Sequence, residues 1–201
     1  MKNIVFDFGR VLVDWNPHHL YDKYFGSWEK AEWFLNNICL YSWNLQMDGG
    51  KPFAEGVAEL QAEHPEWSEA IAIYYTRWIE MMGGEIEGMA DILRRLKEAG
   101  YGIYGLTNWS SETFPLVKDK YPIFGLLDGM VVSGEEHLLK PDAAIYKCLL
   151  ERYSLRAEES LFVDDNADNV AGARNVGMEA VQFTSAEELE RELKDVYGLQ
   201  F

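Results

Sequence analysis

Five short apolar runs, each ending at a polar residue, constrain the fold of this chain more than any other feature of its sequence. Such runs are typical of strands buried on both faces of a parallel sheet. Helical patterns lie between them: an apolar stripe over 89–96 that ends at Gly100, a helix with Pro141 at its first position, and a capping box starting at Ser185. This alternation predicts an α/β fold with a doubly wound, right-handed parallel sheet. The five runs lie at residues 4–6, 102–106, 130–132, 161–163 and 180–183.

Residues 14–84 interrupt this alternation, because they contain helical stretches at 28–38 and 68–82 but no convincing strand. The segment is predicted to be a helical unit inserted after the first strand, with hinges at 16–17 and 81–84. We expect the sheet domain to comprise residues 1–14 and 85–201, and the insert to comprise residues 15–84. Six of the seven Trp residues belong to the insert, where they pack its helices or, for one or two of them, face the cleft as a stacking surface.

The charge and cysteine content exclude several classes of protein. The 18 Lys and Arg residues against 34 Asp and Glu residues give a net charge of −16, and this field repels polyanions and anionic membrane surfaces. Nucleic acid and membranes are therefore not expected as partners, whereas a small phosphorylated ligand is compatible with a cation in one cleft. Cys39 and Cys148 do not make a disulfide framework. Without a signal-peptide pattern or a membrane-length apolar run, a cytoplasmic protein is expected.

Polar residues at the predicted strand ends are expected to form one site. In an open parallel sheet the ligand lies beyond the carboxyl ends of the strands, where the strand order reverses. A carboxylate nucleophile, a hydroxyl group, an ammonium group and a pair of carboxylates for a hard cation suit phosphoryl transfer. The residues that supply these groups are Asp7, Thr107, Asn108, Lys140, Asp164 and Asp165.

Four short motifs in this order resemble those of the haloacid dehalogenase (HAD) superfamily. They are Phe-Asp-Phe-Gly-Arg-Val-Leu at 6–12, Leu-Thr-Asn at 106–108, Lys-Pro-Asp at 140–142 and Phe-Val-Asp-Asp-Asn-Ala-Asp-Asn at 162–169. The resemblance covers the whole chain, and the insert after the first motif resembles the C1-type cap of subfamily I. The last motif is most similar to the α-D-glucose-1-phosphate phosphatase branch. The resemblance implies a HAD-type Rossmann-like core with an inserted α-helical cap.

The resemblance also implies a Mg²⁺-dependent phosphatase that acts on a small phosphorylated metabolite, with a sugar phosphate as the favoured substrate. Asp7 would attack phosphorus and form an aspartyl-phosphate, which splits one difficult hydrolysis into two easier steps. The phosphoryl oxygens would be held by Thr107, Asn108 and Lys140. Lys140 would also restrain Asp7 against the electrostatic cost of approaching an anion.

For the metal, the resemblance implies a site built on the same strand ends. Mg²⁺ would be bound by Asp7, the backbone carbonyl of Gly9 and Asp165, with Asp164 beside them or acting through water. The cation would bridge the nucleophile and the phosphate.

Gly9 is the main departure from the family pattern. In most family phosphatases this position is a second Asp, which protonates the leaving group and later activates water. Loss of a general acid and base costs roughly 10²- to 10⁴-fold in rate. The branch that this chain most resembles also carries Gly here, and an anomeric oxygen needs less protonation than an ordinary alcohol oxygen. A cap residue or water would then supply the proton.

Five further residues are candidates for contacts with the cap or the substrate. An arginine next to the first motif is placed either to reach a phosphate or carboxylate or to form an exposed salt bridge. Paired histidines near a hinge are more often packing or surface residues than catalytic ones. The segment 48–51 forms either a flexible loop that dips into the cleft or a simple helix–helix turn. The five candidates are Arg10, His18, His19, Asp48 and Lys51.

Two other functions stay open on the sequence alone. A metal-free 2-haloacid dehalogenase would use Asp7 to attack carbon and also lacks Asp at the position of Gly9. In such an enzyme, however, Asp164 and Asp165 would oppose the ionised Asp7 without a cation between them. A catalytically idle HAD-fold protein that binds a ligand or partner would explain Gly9, but the other motif residues are all present.

Overall fold

The five predicted apolar runs form one parallel sheet in the computed structural model, which describes residues 1–201. The sheet has the strand order β5-β4-β1-β6-β7, and β2 and β3 form a separate two-stranded ribbon. This confirms the predicted α/β class. The strands are β1 (Asn3–Phe6), β2 (Val13–Trp15), β3 (Met82–Glu85), β4 (Gly102–Thr107), β5 (Gly129–Val132), β6 (Ser160–Asp164) and β7 (Glu179–Gln182).

Helices flank the sheet and make up the body of the insert. The capping box starting the last helix is confirmed, because the Ser185 hydroxyl accepts a hydrogen bond from the Glu188 amide at 3.2 Å. Short 3-10 helices occur at Pro65–Trp67, Trp78–Met81, Pro122–Leu126 and Ala157–Glu159. The α-helices are α1 (His18–Phe25), α2 (Trp28–Asn37), α3 (Tyr41–Asp48), α4 (Phe53–Glu63), α5 (Ser68–Thr76), α6 (Met89–Glu98), α7 (Pro115–Lys118), α8 (Ser133–Glu136), α9 (Ala143–Arg152), α10 (Ala167–Asn175) and α11 (Ala186–Asp195). None of them is long and apolar enough to cross a membrane.

The topology of the sheet places its functional edge. β1 lies in the middle and pairs in parallel with β4 on one side and with β6 on the other. The chain therefore passes from β1 to β4 and β5 on one side before it returns to β6 and β7 on the other, and the strand order reverses beside β1. Ligands bind at such a reversal because the loops after the flanking strands separate there.

Alternating side chains of β1 contact two separate apolar clusters, one on each face of the sheet. Val5 packs with Phe162 and the helix residue Leu149 on one face. Ile4 and Phe6 belong to a larger cluster on the other face, which continues into the insert. Since successive residues of a strand point to opposite faces, an apolar run without alternation is what a strand covered on both sides requires.

The prediction that residues 14–84 contain no strand is wrong at both ends of this segment. β2 pairs with β3 in antiparallel fashion, with Val13 opposite Glu85 and Asp14 opposite Gly84. Each strand is short, and β3 begins Met-Gly-Gly, so no local pattern indicates it. The ribbon forms because the two ends of the insert leave and re-enter the core side by side, and their backbone groups pair there.

The helix with Pro141 at its first position was also predicted incorrectly. α9 begins two residues later, with Asp142 in an extended conformation at its N-cap. The backbone around Pro141 is held in another way, since the amide and carbonyl groups of Lys140 both hydrogen-bond to the Asn108 side chain, at 2.8 and 3.0 Å. A long-range contact therefore sets the start of this helix.

The insert is docked onto the core through polar contacts and aromatic packing. The Glu112 carboxylate accepts hydrogen bonds from the Phe53 amide at 2.8 Å and from the Tyr75 hydroxyl at 2.9 Å. The rings of Trp78 in the insert and Trp109 in the core lie 5.6 Å apart. Because carboxylate, amide and aromatic contacts all cross the same boundary, the insert covers the functional edge of the sheet.

Gly134 provides a test of how tightly this edge is packed. A Cβ atom on Gly134 would lie 2.4 Å from the Ser111 backbone nitrogen and 2.8 Å from the Trp109 carbonyl oxygen. Neither backbone atom can yield without moving the loop after β4, so we expect Gly134→Ala to cost about 1–3 kcal/mol of unfolding free energy. Thermal unfolding would then show a melting temperature lower by roughly 2–4 °C per kcal/mol.

Gly125→Ala is the matched control, because a Cβ atom there meets no atom within 4 Å. Its unfolding free energy should change by no more than an ordinary surface substitution does, about ±0.5 kcal/mol, and its melting temperature should change correspondingly little. Equal melting temperatures for the two variants would contradict the tight packing of the β4 loop against α8.

Candidate active site

A cavity of about 260 Å³ lies where the ends of β1, β4 and β6 meet the insert. Its core side is formed by residues that follow these strands, and its other side by helices of the insert. The core supplies Asp7, Gly9, Asn108, Lys140 and Asp165, and the insert supplies Trp15, Tyr41, Asn44, Asp48 and Trp78. The structure therefore brings most of the predicted site residues to one cavity.

The ammonium group of Lys140 is the electrostatic centre of the site. Its Nζ atom lies 2.8 Å from Asp7 Oδ1 and 2.6 Å from Asp164 Oδ2, and it donates a hydrogen bond to the Leu106 carbonyl at 3.0 Å. Burial lowers the pKa of Lys140, but Asp164 and Asp7 raise it by more, so the pKa lies above its ordinary value. Lys140 is therefore charged at neutral pH and neutralises part of the buried acidic cluster.

Asp7 at the end of β1 is buried, and its carboxylate faces the cavity. Burial raises the pKa of Asp7, and the nearby Asp164 and Asp165 add to this, while the Lys140 ammonium lowers it. Burial also raises the pKa of Asp165, with Asp164 as a further cause and Arg10 opposing. Such a cluster of carboxylates is destabilised in its fully ionised form unless a second positive charge is present.

Asp164 differs from the other two carboxylates because its oxygens are already engaged. Oδ1 accepts a hydrogen bond from the Asn166 amide at 2.8 Å, Oδ2 contacts Lys140, and the Asn169 side-chain amide donates to both oxygens at 3.1 Å. The side chain is fully buried. This arrangement suits a residue that orients its neighbours better than one that binds a cation directly.

The donor set fits a hard divalent cation. One oxygen from each of Asp7, Asp164 and Asp165 lies within 4.8 Å of the others, and carboxylate oxygens are the ligands that Mg²⁺ prefers. The Gly9 carbonyl accepts no hydrogen bond from within the chain, so it is free to act as a ligand. The hydrogen bonds of Asp164 leave Asp7 and Asp165 as the carboxylates with free oxygens.

The residues predicted to bind phosphate lie at different depths. Lys140 and Asn108 line the cavity, whereas Thr107 is 1% exposed and does not line it. The Asn108 side chain is committed to the Lys140 backbone through both its oxygen and its nitrogen. It therefore positions the lysine, and the direct contacts of Thr107 and Asn108 with phosphate stay predictions.

Gly9 lies in ordinary backbone geometry with space around it. A Cβ atom at Gly9 would meet only the Trp15 Cβ atom, at 4.0 Å. The left-handed conformation in this turn belongs instead to its neighbour Arg10, with φ 62°. The absence of a carboxyl group at this position is therefore not imposed by the backbone. Arg10 itself is exposed at the mouth of the cavity.

Three of the predicted cap contacts lie outside the cavity lining. The two ring nitrogens of His18 lie 2.7 Å from an Asp22 carboxylate oxygen and 2.9 Å from a Glu32 carboxylate oxygen, and His19 Nε2 lies 2.7 Å from Asp14 Oδ2. The third, the Lys51 ammonium, hydrogen-bonds to the side chains of Gln46 and Glu59. These contacts agree with the surface or packing role that the sequence left open for the histidines, and contacts of His18, His19 or Lys51 with substrate stay predictions.

Asp48 is the candidate from segment 48–51 that does line the cavity. It ends α3, is 7% exposed, and its Oδ2 atom accepts a hydrogen bond from the Asn44 side-chain amide at 2.9 Å. The Ser133 hydroxyl of the core donates to the Asp48 carbonyl at 2.5 Å. Burial raises the pKa of Asp48 to about 7, with Asp7 as a smaller cause, while the Ser110 backbone amide and Lys140 lower it.

The insert also lines the cavity with aromatic rings. Trp15 and Trp78 face the cavity, together with Tyr41 at its mouth and Trp109 from the core. Trp43 is buried in the insert and donates to the Gly56 carbonyl at 3.0 Å. The packing role of the tryptophans is therefore confirmed for Trp43, and the use of Trp15 or Trp78 as a stacking surface for a ligand stays a prediction.

Sequence reasoning missed Asn44, Tyr41, Trp109 and Thr113, which also line the cavity. The spacing of Asn44 and Asp48, four residues apart on one helix, was a usable signal for a paired polar face. Trp109 and Thr113 carry no such signal, because they reach the cavity only through the path of the loop after β4.

The buried carboxyl of Asp48 predicts a pH-dependent stability. At pH values between about 4 and 7 the unfolded chain ionises this group while the folded chain keeps it protonated, so stability falls as the pH rises. We expect Asp48→Asn to remove this loss of stability. The unfolding free energy of the variant should therefore rise relative to that of the wild type by up to about 4 kcal/mol between pH 4 and pH 8.

Urea unfolding at several pH values in EDTA measures this difference. The other titratable groups that reach the Asp48 carboxyl are Asp7, Lys140, Tyr41 and Tyr74, and all of them are unchanged in the variant. Asp119→Asn, which removes an exposed carboxyl, controls for the change of net charge. If the difference in unfolding free energy between wild type and Asp48→Asn stayed constant from pH 4 to pH 8, the prediction would be contradicted.

Comparison with known proteins finds phosphatases among the relatives. The chain is 33% identical over 110 residues to sesquiterpene phosphatase astK of Aspergillus oryzae, covering 55% of this chain and 56% of that protein. It is 31% identical over 123 residues to a glyceraldehyde 3-phosphate phosphatase of Pyrococcus abyssi, covering 60% and 51%. The chain thus spans about half the length of these relatives.

Solved structures share the whole fold at low identity. A HAD family enzyme of Bacteroides thetaiotaomicron, crystallised with magnesium and inorganic phosphate, superposes with a TM-score of 0.68 and 22% identity over 92% of this chain and 95% of that one. The family model of haloacid dehalogenase-like hydrolases matches residues 1–177. With the four motifs gathered at the ends of β1, β4 and β6, this match shows that the chain belongs to the haloacid dehalogenase-like hydrolases.

Proposed function

We propose that this hydrolase is a Mg²⁺-dependent phosphatase that cleaves a small phosphorylated metabolite through an aspartyl-phosphate on Asp7. One observation carries the proposal: Asp7 and Asp165 face one cavity beside a buried, ion-paired Lys140. A carboxylate nucleophile next to an ammonium group and a cation site is the set of groups that phosphoryl transfer needs. The phosphatases among its relatives support the same reaction.

In the proposed reaction, Asp7 supplies the attacking oxygen and Lys140 stabilises the negative charge around it. The 2.8 Å contact between Lys140 Nζ and Asp7 Oδ1 holds the carboxylate of Asp7, which lines the cavity. Lys140 is itself oriented by Asn108 and Asp164, so the nucleophile is held before substrate arrives. Preorganised charges of this kind cost no rearrangement during the reaction.

Mg²⁺ would be held by Asp7, the Gly9 carbonyl and Asp165, with Asp164 positioning them or acting through water. When bound, such a cation neutralises charge on the phosphoryl oxygens and aligns them with the nucleophile. It would also favour the ionised form of Asp7, whose pKa is raised in its absence.

We propose that the core, at 1–14 and 85–201, binds phosphate and metal, and that the cap, at 15–84, selects the substrate. The cap side of the cavity combines the aromatic rings of Trp15, Tyr41 and Trp78 with the polar groups of Asn44 and Asp48. Rings that cover an apolar face, next to groups that bind hydroxyls, suit a sugar phosphate. A cytoplasmic location stays a prediction from the sequence.

Gly9 favours the alternatives of a metal-free dehalogenase or an idle binding protein. The carboxylates of Asp164 and Asp165 so close to Asp7 weigh against the dehalogenase, because they would oppose its ionisation without a cation. A docked cap around a preorganised nucleophile weighs against an idle protein.

Asp7→Asn tests the proposed reaction. Phosphate release from glucose 1-phosphate, glucose 6-phosphate and farnesyl phosphate with Mg²⁺ should fall by at least about 10³-fold, because the nucleophile is lost. EDTA should abolish the wild-type activity, and added Mg²⁺ should restore it. Hydrolysis that persists in Asp7→Asn or in excess EDTA, or halide release from 2-chloropropionate in the same assay, would overturn the proposal.

Tyr41→Ala tests the role of the cap in specificity. Tyr41 is 56% exposed and lines the cavity, so its removal should not disturb a core. We expect KM for glucose 1-phosphate to rise roughly 2- to 10-fold, the loss of one aromatic contact of about 0.5–1.5 kcal/mol. The kcat/KM for acetyl phosphate, which has no ring to contact, should stay unchanged.

Leu40→Ala is the matched control, since Leu40 is its exposed neighbour and does not line this cavity. Neither substrate should respond to it. Equal losses on both substrates in Tyr41→Ala would show that the residue supports the structure of the cap and does not select substrate.

A further inference from the structure

The acid and base missing at Gly9 can be sought among the ionisable groups that line the same cavity. These groups are Asp7, Arg10, Tyr41, Asp48, Lys140 and Asp165. Most of them are committed or unsuited: Asp7 is the nucleophile, Asp165 faces the cation site, and Lys140 is locked in two ion pairs. Arginine does not lose its proton in proteins, and burial raises the pKa of the Tyr41 hydroxyl to about 12. Asp48 is the group that remains.

Asp48 is held over the cavity from two sides. Within the cap, the Asn44 side chain donates a hydrogen bond to Oδ2 at 2.9 Å. From the core, the Ser133 hydroxyl binds the Asp48 carbonyl at 2.5 Å, and the same hydroxyl accepts a hydrogen bond from the Trp109 amide at 2.8 Å. The backbone of Asp48 is thus fixed to the core, and its carboxyl group is held within the cap.

The surroundings of Asp48 are not those of a structural ion pair. The carboxyl group is nearly buried and its partners are neutral amides, those of Asn44 and the Ser110 backbone. A buried carboxyl without a cationic partner destabilises the fold when ionised, so packing alone does not account for it. A carboxyl in this setting has the properties of a general acid in an enclosed site.

We propose that Asp48 carries out the proton transfers that a carboxyl at position 9 performs in other family members. This rests on the proposed phosphatase function. In the first step an Asp7 oxygen bonds to phosphorus, the bond from phosphorus to the leaving oxygen breaks, and the Asp48 proton passes to that oxygen. In the second step a water oxygen bonds to phosphorus, its proton passes to the Asp48 carboxylate, and Asp7 leaves as a carboxylate.

The protonation state of Asp48 agrees with both roles. Burial raises its pKa to about 7, so that both forms are accessible at neutral pH. The groups that face it are Asp7 and Lys140 from the core and Tyr41 and Tyr74 from the cap. General acids and bases work best with a pKa near the working pH.

Asp48→Asn tests the proposal through the dependence of rate on the leaving group. With Mg²⁺, activity on glucose 6-phosphate, whose alkoxide leaves poorly, should fall by at least about 10²-fold. With 4-nitrophenyl phosphate, whose leaving group needs no proton, the first step should fall less than about tenfold. The second step still lacks its base, so stopped-flow measurements should show a burst of 4-nitrophenol before slow turnover.

Further variants distinguish a loss of proton transfer from a loss of structure. In the double variant Gly9→Asp with Asp48→Asn, the new Cβ atom has room, since it would meet only the Trp15 Cβ atom at 4.0 Å, and the added carboxyl should recover activity on glucose 6-phosphate. Glu59→Gln removes an exposed cap carboxyl that does not line the cavity and should change nothing. If Asp48→Asn does not fold, Asp48→Ser removes the acid with a smaller side chain and carries the same expectations.

The outcomes distinguish this proposal from the function on which it rests. Equal losses on all leaving groups, or undiminished activity on glucose 6-phosphate, would overturn the role of Asp48 while Asp7-dependent, Mg²⁺-dependent hydrolysis stands. A wild type that releases no phosphate from any substrate would instead overturn the proposed function. Failure of the double variant to regain activity, although it folds and binds Mg²⁺, would also count against proton transfer by Asp48.

Discussion

The site depends on one buried ammonium group. Lys140 lies 2.8 Å from Asp7 and 2.6 Å from Asp164, two carboxylates at the ends of adjacent strands that would otherwise repel each other in a medium of low dielectric constant. Removing one partner from such a cluster leaves an uncompensated charge, a loss of about 3–5 kcal/mol. Since Lys140 also donates to the Leu106 carbonyl, β1, β4 and β6 all have a contact to the same nitrogen. The nucleophile is therefore oriented by the interaction that joins the three strand ends.

The second constraint is the contact between cap and core. Glu112 binds two residues of the cap, and Ser133 binds the end of α3, so the cap is attached at the rim of the cavity that it covers. The ribbon of β2 and β3 holds the two connections side by side. Attachment at these points places the cap over the reacting groups and reduces their contact with solvent, which strengthens the electrostatic interactions between them.

Gly9 and Asp48 show how the proposed proton-transfer group can lie elsewhere in the chain than at its usual position after the nucleophile. Gly9 has an ordinary backbone conformation and space for a Cβ atom, so neither of these imposes glycine at the position where the acid is missing. The carboxyl that lines the cavity without another assigned role belongs to the insert, on the last residue of α3. A proton donor must lie close to the leaving oxygen. Either the segment that carries the nucleophile or an inserted domain can place a donor there.

The sequence by itself determined the α/β class, the five parallel strands, the inserted helical unit and the residues at the strand ends. These features follow from local patterns, namely apolar runs, caps and polar residues at run ends, which act over a few residues. Only the tertiary structure decided the ribbon of β2 and β3, the start of α9 two residues after Pro141, and the separation of Asp48 from its near neighbour Lys51. It also brought Trp109 into the cavity. Each of these depends on contacts between residues that are distant in the chain, such as that of Asn108 with Lys140, and no local pattern records them.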